Sequence, residues 1–298
     1  MIRNLFKKIN KNKISYLLML PFMIPFFTFT VLPAIRSIYY SFTYYNILEK
    51  PVFIGADNYI RLFLKDDIFM MALKNTFLIA VVTGPLGYLM CFVLAWLINE
   101  MKTGLRSFLT LIFYAPSISG GVFIVWTYIF NDDRYGFINN LLIRIGVISR
   151  PIEWLHDSRY IIFVVIVVQL WLSLGTGFLA FVAGLKTIDK SMSEAAAVDG
   201  IKNRYQELWF ITLPAMKQFL MFGAVMQITQ SFAVGDITTV LFGFPSVDYA
   251  GHTIINHLTD YGILRFDLGY ASAIASVLFF IMIFSNKIIQ KILSKVGN

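Results

Sequence analysis

Six stretches of this chain, at about 15–38, 73–98, 107–130, 160–184, 214–235 and 269–293, are long runs of mainly apolar residues. A helix needs about 20 such residues to cross a bilayer, and in lipid the backbone groups of a crossing segment must be satisfied internally. The expected fold class is therefore all-α: a polytopic membrane protein with about six transmembrane helices. Composition agrees. The chain is 58% hydrophobic and only 14% charged, against about 25% charged in soluble domains. A water-facing surface could not hide that excess.

The first run, YLLMLPFMIPFFTFTVLP, follows Arg3, Lys7, Lys8, Lys11 and Lys13. It exceeds the roughly 7–15 residues of a signal-peptide core and lacks an A-x-A cleavage site, so it is read as a retained anchor. Pro21, Pro25 and Pro33 are expected to kink it. Lysine and arginine counts orient the spans. The N-terminus, 99–106, 185–213 and the C-terminus together carry fourteen, whereas the opposite side carries eight over much longer loops. Both termini are thus expected in the cytoplasm, which requires an even number of crossings.

Several chemistries are excluded. The net charge of +8 reflects basic residues at the ends of apolar runs rather than a patch interleaved with aromatics, so a nucleic-acid partner is not expected. Cys91 lies in an apolar run and can make no internal disulfide. His156, His252 and His257 have no Cys or acidic cluster around them, the last two do not share a helix face, and no metal is expected. There is no G-x-x-x-x-G-K-[ST] phosphate loop and no Ser/His/Asp or Cys/His constellation. The chain is not expected to be an enzyme or to bind a cofactor.

The outer loops 39–72, 131–159 and 236–268 far exceed the usual 4–6 residues or so. With Tyr44, Tyr45, Trp154, Phe244, Tyr249 and Tyr261 among them, they are expected to be ordered. Two roles fit: a docking platform for an extracytoplasmic partner, or caps resting on the headgroups. On the last span Ala271/Ala275 and Ser272/Ser276 repeat four apart. That pattern lets helices approach closely within one subunit or between two.

The inner loop 186–213 is the most informative segment. Ser191 and Glu194 have capping-box spacing, Ala195, Ala196 and Ala197 are the strongest helix formers, and Asp199-Gly200 suits a stop. A second amphipathic stretch runs from about Asn203 to Phe210, and Pro214 is expected to open the fifth span. A helix of about seven residues is too short to persist alone in water. It must pack against something: its smooth alanine face, flanked by Glu194 and Asp199, suits a groove bearing a cationic partner, or it lies on its own subunit.

The residues Glu194, Ala195, Ala196, Asp199, Gly200, Ile211, Leu213 and Pro214 form E-A-A-x-x-D-G followed by I-T-L-P. This resembles the signature of permease subunits of binding-protein-dependent ABC importers, in the carbohydrate branch of maltose, multiple-sugar and glycerol-phosphate systems. LPFMIPFFTFTVLPAIRSIYYSF and FDLGYASAIASVLFFIMI extend the likeness over about 16–285. The spacing from Gly200 to Pro214 is one residue longer than usual, Ile201 replaces the usual Ala, and the segment from Gly243 to Asp267 is longer than the common pattern. The resemblance implies the type I importer permease architecture: a cytoplasmic N-terminus at 1–14 and a single transmembrane domain at 15–298. It also implies a coupling helix in a groove of a cytoplasmic ATPase subunit, with Ser193, Glu194, Ala195, Ala196, Ala197, Asp199, Gly200 and Ile201 at the contact. Implied partners are a second, homologous permease, two ATPase subunits that bind ATP and Mg, an extracytoplasmic sugar-binding protein and a sugar or oligosaccharide, in the lipid bilayer of a bacterial cell membrane.

Polar groups inside the spans are the candidates for the solute path. They are Gln169, Trp171, Ser173 and Thr176 in the fourth span, Gln227, Thr229, Gln230 and Ser231 in the fifth, and Ser117 and Ser119 beside Pro116, Gly120 and Gly121 in the third. Amide, hydroxyl and aromatic groups suit a neutral sugar. An ion-coupled secondary transporter of a small neutral solute is the alternative, but it would need ionisable groups within the spans.

Overall fold

In the computed structural model residues 12–294 are described. Helix α1 (Lys13–Phe26) passes through a π segment, Phe27–Val31, into α2 (Leu32–Tyr40). A short hairpin of β1 (Thr43–Tyr44) and β2 (Val52–Phe53) precedes α3 (Asp57–Leu64) and the long α4 (Asp67–Asn99). Then come α5 (Thr103–Ile118), a 3-10 turn at Val122–Ile124, α6 (Val125–Ile129) and α7 (Phe137–Arg144). The pair α8 (Ser158–Leu172) and α9 (Thr176–Lys186) leads to the inner-loop helices α10 (Lys190–Val198) and α11 (Arg204–Glu207). A π segment, Leu208–Thr212, continues into α12 (Leu213–Ala215), followed by α13 (Lys217–Phe232) and α14 (Asp236–Phe242). A 3-10 turn (Val247–Tyr249), α15 (Ile254–Thr259), a π segment (Asp260–Leu264) and α16 (Leu268–Leu293) complete the chain.

The spans differ from six straight rods. Among the described residues four helical stretches are long and apolar enough to cross a membrane: Lys13–Tyr40, Asp67–Asn99, Ser158–Lys186 and Leu268–Leu293. The expected third and fifth spans are broken pairs, bent by 91° between Ile118 and Val122 and by 80° at Met216. At the first break Ser119 is extended and Gly121 takes φ +70°, a left-handed conformation that glycine adopts without a Cβ clash. Counting each pair as one span gives six.

Two of the π segments share a cause. A proline ring clashes with the carbonyl four residues before it. That position is Phe29 for Pro33 and Phe210 for Pro214, each inside a π segment where the turn is wider. So the first span absorbs Pro33 without a break, and Pro214 does not open the fifth span as expected. It lies within the helix that precedes the bend at Met216.

The residues fall into two compact units. In the unit of 12–65 and 258–277, the hairpin pairs Thr43 with Phe53 and Tyr44 with Val52. Asn58 donates to the carbonyls of Ser41 and Thr43, and the Arg61 guanidinium bonds Asp267 at 3.0 Å while lying 4.0 Å over the Tyr270 ring. No residue of α1 or α2 is buried.

In the other unit α4 is the central rod. Its Cys91, Phe92, Ala95 and Ile98 pack with Phe178, Phe181 and Leu185 of α9 and with Leu220 of α13. A second core gathers Trp154, Val164, Val165 and Val168 with Ile237 and Leu241. Gly87 allows α4 a close approach: a Cβ there would stand 2.2 Å from Gln227 Nε2 and 3.0 Å from Ser173 Oγ.

The long loops at 39–72, 131–159 and 236–268 are ordered, and buried asparagines order them. Besides Asn58, Asn139 donates to the carbonyls of Asn131, Asp133 and Ile152 while its Oδ1 accepts from Ile152 N and Trp154 Nε1. Asn256 donates to Gly235 O and Thr239 Oγ1 and accepts from Thr238, Thr253 N and Thr253 Oγ1. An asparagine carries both donors and acceptors on one short side chain, so it can close loop carbonyls that no ladder reaches.

Candidate functional site

The inner loop builds its two short helices from different caps than the spacing suggested. Asp189, not Ser191, is the N-cap of α10: it is extended (ψ 131°) and its Oδ1 accepts from Ser191 N at 3.0 Å. Ser191 therefore sits inside the first turn, and the Ser191–Glu194 capping box does not form. An aspartate bears the stronger acceptor and its charge suits the positive end of the helix, so it wins the start. That backbone N–H holds the Asp189 carboxyl below its ordinary range. The Ser193 side chain lies outside the described residues.

The reciprocal cap lies one helix later. Asn203 Oδ1 accepts from Gln206 N at 2.8 Å, and Gln206 Oε1 accepts from Lys202 N at 2.9 Å. The stop at Asp199-Gly200 forms as expected. Gly200 has φ +96°, Ile201 N donates to Ala196 O at 3.0 Å and Gly200 N to Ala197 O at 3.4 Å. These are the two bonds of a Schellman ending.

Helix α10 has nine residues and touches its own chain sparingly. Ala196 is its one buried residue among those described, while Glu194, Ala195, Ala197, Asp199 and Gly200 are exposed and Ile201 is half-buried. Val198 is 87% exposed. A smooth alanine surface with a carboxylate at Glu194 is thus free to meet another molecule.

The path candidates sit deeper, where α4, α8, α9 and α13 meet. Gln169 Nε2 donates to Gln230 O at 3.0 Å, Gln227 Nε2 to Thr83 O at 3.4 Å, Ser173 Oγ to Leu170 O at 2.6 Å and Ser231 Oγ to Ile228 O at 2.9 Å. Gln169, Ser173, Gln227 and Ser231 are buried; Trp171 and Gln230 are half-buried. The Trp171 ring lies edge-on to Trp126 at 5.5 Å. Gln227 and Ser231 line a cavity of about 460 Å³ whose other walls are mainly apolar, including Phe77, Val81, Pro85, Leu89 and Ile289.

Two histidines kept apart in the sequence reading meet in the fold. His252 Nε2 and His257 Nδ1 are 3.2 Å apart, and His257 Nε2 is 3.1 Å from Asp66 Oδ2. Among the described residues no group of three or more His, Cys, Asp or Glu could hold a metal.

Residues 85–295 match the family described as binding-protein-dependent transport system inner membrane component. The chain is 34% identical to the probable ABC transporter permease protein YesP of Bacillus subtilis (strain 168), over 91% of this chain and 87% of that protein. It is 28% identical to the arabinooligosaccharides transport system permease protein AraP of Halalkalibacterium halodurans, over 93% and 87%. A chain of a bacterial alginate ABC transporter, solved with an alginate pentasaccharide-bound periplasmic protein, superposes with a TM-score of 0.76 at 25% identity, covering 99% of each chain. This multi-pass chain, with its apolar spans and short inner-loop helices, belongs to the family of inner membrane components of binding-protein-dependent ABC transport systems.

Proposed function

We propose that the chain is a permease subunit of an ATP-driven importer of a sugar or oligosaccharide. It forms the translocation path with a second, homologous permease and takes its energy through α10 from two ATPase subunits, which bind ATP and Mg. The observation that carries the coupling reading is the exposure of α10. Nine residues cannot hold a helix in water unaided, yet only Ala196 of the described residues is buried. The cap at Asp189 and the Schellman ending at Gly200 hold its shape and leave the Glu194 face open for a cationic groove.

The lysine and arginine excess supports a reading with this loop and both termini in the cytoplasm. The outer loops, tied down by buried asparagines, form the platform for an extracytoplasmic sugar-binding protein, a reading supported by the complexed alginate transporter. For the solute path we favour Trp171 and Gln230, which are half-buried, with Gln227 and Ser231 at the cavity wall. Gln169, which donates to Gln230 O, supports that position from behind. ATP binding would shift the pore between inward- and outward-facing populations, because only a ligand with different affinity for two states moves their balance.

The test is Glu194→Lys in the assembled complex in proteoliposomes. Uptake should fall while ATP hydrolysis continues; wild-type uptake would remove the coupling role from this helix.

A further inference from the structure

Helix α11 is fastened to the inner end of α4 as well as to its own chain neighbours. Arg204, the first residue of α11, is ion-paired through Nη1 with Oε1 of Glu100, the C-cap residue of α4. One turn back along α4 the Trp96 ring lies 6.2 Å from the Tyr205 ring. Behind this contact lies a polar cavity of about 290 Å³, lined by Trp96, Glu100, Arg106, Lys186, Arg204 and Glu207 among others. The second inner-loop helix is therefore not packed down on the span ends by a continuous apolar face. It meets α4 by a polar clasp and one aromatic contact, beside space into which the loop can move.

Two routes lead from the loop toward the membrane interior. One is covalent: α11 continues through Leu208–Thr212 and α12 to the bend at Met216, where α13 begins. The other is the clasp. Helix α4 is one element of 33 residues, and at mid-length its Thr83 accepts from Gln227 while Gly87 abuts Gln227 and Ser173. A pull on Glu100 therefore reaches the same side chains from the α4 side that Met216 reaches from the α13 side.

Building on the coupling reading above, we propose that Glu100 and Arg204 are positioning residues that make α4 follow the coupling loop, so that α4 and α13 move together. Both act through the helices they join. The pair is partly exposed, at 35% and 60%, and such pairs bias an equilibrium by at most about five-fold. The clasp therefore tunes coupling without creating it.

The experiment uses the whole complex in proteoliposomes and measures ATP hydrolysed per solute imported. Glu100→Gln and Arg204→Gln should each raise that ratio about two- to five-fold, and the exchange Glu100→Arg with Arg204→Glu should return it toward wild type. A structural role alone would instead lower the yield of complex, with both rates falling together and the ratio fixed; that result, or a failure of the exchange to restore the ratio, overturns the proposal. Glu194→Lys run alongside separates the two ideas. If it uncouples while the single variants at 100 and 204 match wild type, only the clasp falls. If no ATP-hydrolysing subunit assembles with the wild-type chain, the coupling reading falls and takes the clasp with it.

Discussion

Asp66 and His257 are 191 positions apart in the chain, yet their side chains lie 3.1 Å apart. The carboxylate does two jobs: Oδ1 caps α4 by accepting from Phe69 N at 2.9 Å, and Oδ2 holds His257, which is 1% exposed. Asp66→Ala removes both contacts. A buried group left without such a partner costs about 1–3 kcal/mol, so the thermal midpoint of the purified protein should drop clearly. Asp66→Asn keeps the cap acceptor and should lose less.

Asn139 is the hub of the loop between α6 and α8, with three carbonyls and two N–H groups on one side chain. Asn139→Ala strands these groups in a position that is 0% exposed. Proteolysis and hydrogen exchange at 131–159 should accelerate at least ten-fold, while the amides of α9 stay protected. Asn139→Asp retains the acceptors and loses the donors, so it should fall between the two.

The cap of α10 depends on pH. The Ser191 N–H pulls the Asp189 carboxyl below its usual range, so the cap supports the helix above the unfolded-state pKa, about 3.9. That support is lost as pH falls through the lower, folded-state value. Hydrogen exchange of the first α10 amides should show protection decaying on acidification below about pH 4. Asp189→Asn should hold that protection level across the same range, since the amide oxygen accepts without titrating.

Gly200 adopts φ +96°, where a side chain costs roughly 1–3 kcal/mol. Gly200→Val should therefore tilt or unwind the end of α10 and lower solute uptake several-fold. Because the strain is confined to an exposed loop, the amount of protein in the membrane should stay the same. An equal fall in amount and uptake would count against a coupling role.

Much of this architecture is legible in the sequence. The apolar runs find every span, because burial in lipid imposes a length that composition reports directly. They place four of the six within four residues of the helix ends; the fifth begins ten residues earlier than expected, at Arg204. Asp199-Gly200 marks the end of α10 because few residues other than glycine tolerate that turn. What escaped is set by pairings distant in sequence or by competition between near neighbours. The bends at 119–121 and Met216 fall inside uniformly apolar stretches, although Gly120-Gly121 was a usable sign of the first. The start of α10 is ambiguous in the sequence, since Asp189 and Ser191 both make good caps and spacing alone favours the box with Glu194. Asn203 and Gln206 repeat the same spacing in the next helix, and there the cap forms. Helical spacing sets His252 and His257 on different faces, but His252 precedes α15, so the chain turns between them. Asn58, Asn139 and Asn256 gave no signal: an asparagine hub looks like any loop asparagine until its carbonyl partners are known. Polarity marks the path candidates but does not reveal that Gln169, Ser173, Gln227 and Ser231 all bond within the chain.

The central claim is that α10 is held by an ATP-hydrolysing neighbour, and a single cross-link tests it. Val198 is 87% exposed on that helix, and the chain's one cysteine, Cys91, is buried. Val198→Cys in the assembled complex should cross-link to the ATPase subunit and should resist labelling by a membrane-impermeant thiol reagent added from outside the cell. Labelling from outside, or cross-links confined to this chain, would contradict the account.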